Sequence, residues 1–101
     1  MIKIGTDIIE INRVENLVGS QRVFTSAEVE YAERYSKKAE YYAGLFCAKE
    51  ACVKALGGVI TDYEILHDDA GAPYAMWGDL RINISISHCR DYAIAMVVVE
   101  V

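Results

Sequence analysis

The sequence predicts an α+β fold in which a mainly antiparallel sheet packs on one long buried helix, with one or two shorter helices beside it. Three patterns predict this. A helical segment over about residues 39–56 is apolar on two faces. Isoleucines alternate with polar residues over 82–87, as in a strand with one solvated face. Residues 92–101 form a second apolar run after a short turn, so these two runs should pair as an antiparallel hairpin.

Length and composition restrict the possible classes of protein. The 101 residues predict one domain over 1–101, and the 53% of hydrophobic residues against 25% charged favours an oligomer. A net charge of -5 gives nucleic-acid binding little support. Three cysteines without C-x-x-C spacing indicate reduced thiols in the cytoplasm and no structural zinc site. Neither a signal peptide nor a membrane span is evident.

The start of the chain predicts a strand and then a short helix. Residues 1–6 alternate apolar and polar side chains, with Ile2 and Ile4 on the side expected to be buried. Asp7 is expected at the end of this strand. Residues 8–18 have apolar spacing that suits a short helix, which a Gly-Ser pair should close.

The remaining elements follow from capping and turn signals. Thr25-x-x-Glu28 is a capping-box pattern, which predicts a polar helix through about Tyr35. After the long helix, residues 63–67 and 74–77 indicate two strands joined by a turn that contains glycine and proline.

An acid and a base interrupt the second apolar face of the long helix. Glu50 and Lys54 lie one turn apart there, and charged side chains are seldom buried unless they are paired or bind a charged group. One interpretation is a structural i,i+4 ion pair. The other is that Glu50 binds a cation and Lys54 binds an anion at a cleft. Asp7 has two interpretations as well, a helix N-cap or a metal ligand.

Two carboxylates without a cluster of histidines or thiolates suit a hard cation that prefers oxygen ligands. Magnesium fits best, because it keeps several waters and takes one or two carboxylates plus substrate phosphates. Asp7 and Glu50 supply that minimal set, and Lys54 could then meet a phosphate as a point charge.

Histidines and the last cysteine give weaker signals. His88 ends the run Ser85-Ile86-Ser87-His88 at the mouth of the predicted hairpin, where it is either a surface or capping histidine or part of a site. His67 has no comparable setting and receives no role. Cys89 should be accessible, but no base can be assigned to it, so a nucleophilic role is not expected.

Four motifs follow one another along the chain: GTDIIEI at 5–11, AGLFCAKEACVKALG at 43–57, GAP at 71–73 and SISH at 85–88. Together they cover nearly the whole chain, and the motif of the central helix is specific. In their order and spacing they resemble the motifs of the acyl-carrier-protein synthase family of phosphopantetheinyl transferases. The small members of that family form homotrimers with active sites at subunit interfaces.

The resemblance implies a magnesium-dependent enzyme of fatty acid biosynthesis and lipid metabolism. It would transfer the 4'-phosphopantetheine group of coenzyme A to a serine of an apo acyl carrier protein and release 3',5'-ADP. Asp7 and Glu50 would hold Mg²⁺, Lys54 would neutralise phosphate charge, and His88 would lie by the pyrophosphate or the incoming hydroxyl. These four residues form the implied catalytic set, in which the general base is a metal-bound water, Glu50 or His88. The residues implied to bind the coenzyme are Lys54, Gly57, Pro73, Ser87 and His88.

Two departures from the family pattern concern the coenzyme and the carrier protein. The family usually has an arginine where Leu45 stands, near the adenosine end of the coenzyme, and three lysines could replace it: Lys37, Lys38 and Lys49. The basic segment that meets the acidic carrier protein keeps only Arg13 and Arg22 as docking candidates. The alternative function is therefore a coenzyme-A-binding or structural homologue with impaired carrier-protein docking.

Overall fold

The computed structural model describes residues 1–101 as a five-stranded sheet with its helices on one face. The strands are β1 (Ile2–Glu10), β2 (Glu64–His67), β3 (Pro73–Trp77), β4 (Leu80–His88) and β5 (Tyr92–Glu100). The α-helices are α1 (Ser26–Glu33) and α2 (Lys38–Leu56), and short 3₁₀ helices span Ile11–Leu17 and Ile60–Asp62. The sheet order is β1-β5-β4-β3-β2, and every neighbouring pair is antiparallel. The predicted α+β class is confirmed.

Helix α2 is the centre of the core. Both of its predicted apolar faces are buried, one through Leu45, Ala48 and Cys52 and the other through Ala43 and Cys47. It packs on β1, β4 and β5 because small side chains along β5 let the helix approach the sheet closely. No helix in the chain combines the length and the apolar composition that crossing a membrane requires.

Strand β1 is longer than predicted, and this changes the position of Asp7. β1 continues to Glu10, with Asp7 in its middle opposite Ala95. The extension forms because β5 offers a nine-residue antiparallel partner, which the local pattern could not show. The helix predicted over 8–18 is therefore shortened to the 3₁₀ helix Ile11–Leu17, and the N-cap interpretation of Asp7 is wrong.

The buried side of β1 is also the opposite of the predicted one. Ile2 and Ile4 are 55% and 59% exposed, whereas Gly5 is buried. A Cβ atom at Gly5 would lie only 2.0 Å from the carbonyl oxygen of Ala51, so only glycine lets α2 cross β1 here. The strand therefore turns its glycine toward the helix and its isoleucines outward.

The predicted capping box starts α1, which ends at Glu33 rather than Tyr35. The Thr25 N–H donates to Glu28 Oε1 at 2.8 Å, and the Glu28 N–H donates to Thr25 Oγ1 at 3.3 Å.

Glu28 has a second function that the sequence did not indicate. Its carboxylate forms a fully buried ion pair with Lys49 of α2 and accepts the Ile65 N–H of β2 at 2.7 Å. The pair joins three elements inside the core.

The sheet face that points away from the helices is apolar over β1 and β5. We call it the outer sheet face and define it by five side chains that are 45% to 64% exposed: Ile4, Ile8, Tyr92, Ile94 and Met96. On β4 the same face carries polar residues such as Ser85 and Ser87, which confirms the predicted solvated side of that strand. A contiguous exposed apolar surface of this kind is typical of a contact site for another molecule.

Candidate active site

Asp7 and Lys54 form an ion pair between β1 and α2. Lys54 Nζ lies 3.0 Å from Asp7 Oδ1, and Cys47 Sγ lies 3.4 Å from Asp7 Oδ2. The Asp7 side chain is only 15% exposed, while that of Lys54 is 56% exposed and free to move toward a ligand. The interpretation of Lys54 as the i,i+4 partner of Glu50 is therefore wrong, since Lys54 pairs across elements.

Glu50 is half-buried, and it forms no hydrogen bond or ion pair within the chain. It lies one turn before Lys54 on α2, so the two side chains project from the same part of the helix. Two carboxylates against one ammonium leave this part of the molecule with a net negative charge. No cluster of three or more acidic, histidine or cysteine side chains is present that could enclose a metal ion. This donor set fits magnesium, which takes one or two carboxylates and completes its coordination with water and phosphate oxygens.

A cavity of about 500 Å³ opens beside the Asp7–Lys54 pair, and we call it the Asp7 cavity. Polar side chains of Asp7, Lys54, Ser85 and Ser87 line it together with apolar residues of the outer sheet face, including Ile94. Three of the site residues predicted from the sequence, Asp7, Lys54 and Ser87, therefore lie together.

A second, smaller cavity of about 120 Å³ contains His88 and Pro73, and we call it the His88 cavity. It lies two strands away from Asp7, because Asp7 pairs with Ala95 while His88 belongs to β4 on the other side of β5. The remaining lining residues are Tyr31, Tyr41, Gly44, Leu45, His67, Gly71 and Ile86. One chain thus places Asp7, Lys54 and Ser87 in one cavity and Pro73 and His88 in the other, while Glu50 lines neither.

His67 lies in the His88 cavity, although its sequence context indicates no role for it. Its ring stacks on Tyr31 with the centroids 3.7 Å apart, and burial lowers its pKa. The cavity lining contains no lysine or arginine.

Gly57 lies outside both cavities. It follows the end of α2, and its carbonyl accepts the Tyr63 hydroxyl at 2.7 Å.

His88 has a partner that the sequence did not indicate. Its Nδ1 lies 3.0 Å from Glu40 Oε1, and the two side chains are 24% and 18% exposed. His88 is therefore a partly buried residue with a hydrogen-bonding partner, and not a freely exposed one. Glu40 belongs to the first turn of α2 and is 48 residues from His88 in the chain, so only the packing of β4 on the helix reveals the pair.

The lysines considered as substitutes for the missing arginine are mostly engaged elsewhere. Lys49 is fully buried with Glu28, which excludes it, and Lys38 pairs with Glu33 at 3.1 Å. Only Lys37 is exposed and unpaired. The substituted position itself, Leu45, is 1% exposed in the core and lines the His88 cavity.

The two docking candidates are exposed and form no ion pair. Arg13 lies on the first 3₁₀ helix and Arg22 in the loop that follows it. The exposed acids Glu10 and Glu15 lie close to Arg13 in the chain, so the local positive charge is weak.

The three cysteines differ in exposure, which leads to a prediction about their reactivity. Cys47 and Cys52 are buried in α2, and burial raises the pKa of each thiol to about 12, so the reactive thiolate is scarce at neutral pH. Cys89 is exposed. We expect iodoacetamide to add one group to the native protein, at Cys89, and three after denaturation, as counted by intact-mass spectrometry. A native adduct at Cys47 would contradict the tight contact between α2 and β1.

Comparisons with known proteins agree with the motifs and the fold. The model of the 4'-phosphopantetheinyl transferase superfamily matches residues 3–97. The holo-[acyl-carrier-protein] synthase of Fusobacterium nucleatum is 40% identical, over 98% of this chain and 98% of its own length. The crystal structure of a holo-(acyl-carrier-protein) synthase from Bacillus anthracis in complex with CoA (3',5'-ADP) superposes with a TM-score of 0.81 at 35% identity, covering 95% of this chain and 93% of that one.

A second solved structure gives the same result. The holo-[acyl-carrier-protein] synthase of Helicobacter pylori, in complex with coenzyme A, has a TM-score of 0.80 and 29% identity, covering 93% of this chain and 96% of that one. The family match spans nearly the whole chain, and the relatives agree with it in both sequence and fold. The chain therefore belongs to the 4'-phosphopantetheinyl transferase superfamily, and within it to the acyl-carrier-protein synthase family that its four motifs resemble.

Proposed function

We propose that this chain is a holo-[acyl-carrier-protein] synthase that transfers the 4'-phosphopantetheine group of coenzyme A to a serine of an acyl carrier protein. The observation that carries the proposal is the Asp7–Lys54 pair, which lines a cavity large enough for part of a coenzyme and has Glu50 one helical turn before Lys54. Relatives that are named holo-[acyl-carrier-protein] synthases, and that have been solved with coenzyme A, support it.

Asp7 and Glu50 would hold Mg²⁺, which when bound supplies positive charge to the coenzyme pyrophosphate. Lys54 would leave Asp7 Oδ1 and place its ammonium on a phosphate, and Ser87 lines the same cavity. His88 and Pro73 would contact the coenzyme from the second cavity, and Gly57 would shape the end of α2. Phosphoryl-type transfer depends mainly on positioning and charge neutralisation, which this set of residues can provide.

In the reaction, the serine oxygen of the carrier protein bonds to the β-phosphorus of coenzyme A, to which pantetheine is attached. The bond from that phosphorus to the bridging oxygen breaks, and 3',5'-ADP leaves with the electron pair. The serine proton must go to a base, for which this chain offers Glu50 and the Nε2 atom of His88.

A homotrimer with active sites at subunit interfaces is part of this proposal. Within one chain Asp7 and His88 line different cavities, and β5 lies between their strands. One subunit therefore does not place both residues in the same cavity. The outer sheet face is apolar and adjoins the Asp7 cavity, so a second copy placed there could bring its His88 to the Asp7 of the first.

The three free thiols fit the cytoplasmic location that we include in the proposal.

The function is tested by incubating the protein with coenzyme A, Mg²⁺ and a panel of apo acyl carrier proteins, followed by intact-mass spectrometry of the carriers. A gain of one phosphopantetheine, which disappears when Mg²⁺ is chelated, is expected. Coenzyme A binding in a calorimeter without transfer to any carrier would instead select the alternative function, a coenzyme-binding homologue with impaired docking. The weak local charge around Arg13 is the observation that favours this alternative.

Carrier-protein docking gives a further prediction. Carrier proteins are generally acidic and this chain has a net charge of -5, so encounter depends on local cations such as Arg13 and Arg22. The Arg13→Glu variant should lower the rate of transfer at limiting carrier concentration and leave coenzyme A affinity unchanged. Both quantities are measured on one preparation at low and moderate salt, with Arg81→Glu on β4 as the matched charge reversal. Equal losses in both quantities, or none in transfer, would show that the carrier docks elsewhere.

A further inference from the structure

The Glu40–His88 contact is an unassigned pair of polar side chains next to the proposed site. We propose that Glu40 is a positioning residue for His88, which holds the proton of the neutral imidazole on Nδ1 and leaves the Nε2 lone pair facing the substrate. The catalytic effect of this contact rests on the proposed function, whereas the contact itself is present in the structure whatever the function is.

The geometry of the contact decides which ring nitrogen carries the proton. Glu40 Oε1 lies 3.0 Å from Nδ1, and an ionised carboxylate can only accept a hydrogen bond. Nδ1 must therefore carry hydrogen for this contact to be favourable, and the neutral ring then has no hydrogen on Nε2. Nε2 makes no hydrogen bond within the chain, so it is available to an incoming group.

The ring is also held in its plane by packing. The Tyr41 ring meets His88 edge to face with the centroids 4.7 Å apart, and Tyr41 in turn stacks on Tyr35 at 3.6 Å. Gly44, one turn after Glu40, lets β4 come close to α2, because a Cβ atom there would lie 2.9 Å from Ile86 Cγ2. This close approach allows the side chain of Glu40 to reach across to His88 on β4.

This arrangement matches a general way in which proteins prepare a histidine for proton transfer. A carboxylate on one ring nitrogen fixes the tautomer and the orientation of the other nitrogen. Removal of such a partner costs about 10- to 100-fold in function for metal-binding histidines. Here Nε2 of His88 would accept the serine proton of the carrier protein, which leaves His88 as an imidazolium that Glu40 stabilises. Glu40 does not touch the substrate in this account.

The test uses the full chain with ¹⁵N-labelled histidine and two substitutions. Glu40→Ala removes the acceptor, whereas Glu40→Gln keeps an acceptor oxygen for Nδ1–H without the charge. The ¹⁵N shifts of His88, recorded under conditions where the ring is neutral, distinguish the nitrogen that carries hydrogen from the bare one. We expect the Nδ1–H form in the native protein and in Glu40→Gln, and the Nε2–H form, which an unconstrained histidine side chain prefers in water, in Glu40→Ala.

Transfer kinetics complete the test. Glu40→Ala should lower kcat about 10- to 100-fold with little change in KM for coenzyme A, and Glu40→Gln should recover most of the loss. Glu30→Ala is the matched control, because Glu30 is an exposed helical acid away from His88. The proposal is overturned if Glu40→Ala keeps the native tautomer, if it loses the tautomer without losing kcat, or if Glu40→Gln keeps the tautomer but is equally slow. If the native protein transfers nothing to any carrier, the proposed function fails while the tautomer measurement still decides the role of Glu40.

Discussion

Mixing Asp7→Ala with His88→Ala subunits should restore transfer that neither variant performs alone. Each change removes one half of the proposed site, so each homo-oligomer should lose nearly all turnover. In a mixed oligomer some interfaces combine the intact Asp7 of one subunit with the intact His88 of its neighbour. Random mixing in a ring of identical contacts makes such interfaces about a quarter of the total. The measurement is the transfer rate after the two variants are co-refolded, relative to the native protein.

Mixing Asp7→Ala with Glu50→Ala subunits is the matched control. Asp7 and Glu50 belong to the same half of the site in each subunit, so this mixture should stay inactive. Native mass spectrometry confirms that mixed oligomers have formed in both experiments. Mixed oligomers of the first pair that remain inactive would show that the two cavities do not combine across subunits.

The second large effect is on stability. Lys49→Met should lower the free energy of unfolding by about 3–5 kcal/mol, because it leaves the buried carboxylate of Glu28 without its cation. The same change removes the ammonium that donates to the Val23 carbonyl at 2.8 Å. A domain of this size has a total stability of about 5–15 kcal/mol, so the loss is a large fraction. Urea denaturation followed by circular dichroism measures it.

Two comparisons distinguish the effect of breaking the buried Glu28–Lys49 pair from the effect of removing any lysine charge. Lys38→Met also replaces a lysine of α2, but it breaks only an exposed ion pair with Glu33 at the end of α1, so it should change stability little. Adding Glu28→Gln to Lys49→Met removes the unpaired charge and should recover part of the loss. If Lys49→Met and Lys38→Met have the same effect, the buried pair does not stabilise the core as the structure indicates.

Elements determined by nearby residues could be predicted from the sequence. The apolar faces of α2, the capping box of Thr25 and Glu28, and the alternation of β4 are all set within a few residues, and the structure confirms them. The extent of β1 could not be predicted in this way. Its second half, around Ile8, is extended only because β5 pairs with it from the far end of the chain.

The candidate site shows the same division. Asp7, Glu50 and Lys54 can be recognised from the sequence, because they are charged residues in apolar surroundings. The contacts of the site residues cannot be recognised in this way, since Lys54 binds Asp7 across 47 residues of sequence and Glu40 meets His88 across 48. Their contacts arise only once the helix is laid on the sheet.

The contact of Gly5 with Ala51 places packing and chemistry at one point of the backbone. Gly5 is two residues before Asp7 on β1, and Ala51 is three residues before Lys54 on α2. Any side chain at Gly5 would push α2 away from β1 and separate Asp7 from Lys54 in the same movement. In a screen of Gly5 variants for activity, a loss of packing between β1 and α2 would therefore be seen as a loss of catalysis. The crossing itself therefore tolerates almost no substitution at Gly5, whatever the substituted side chain would do for catalysis.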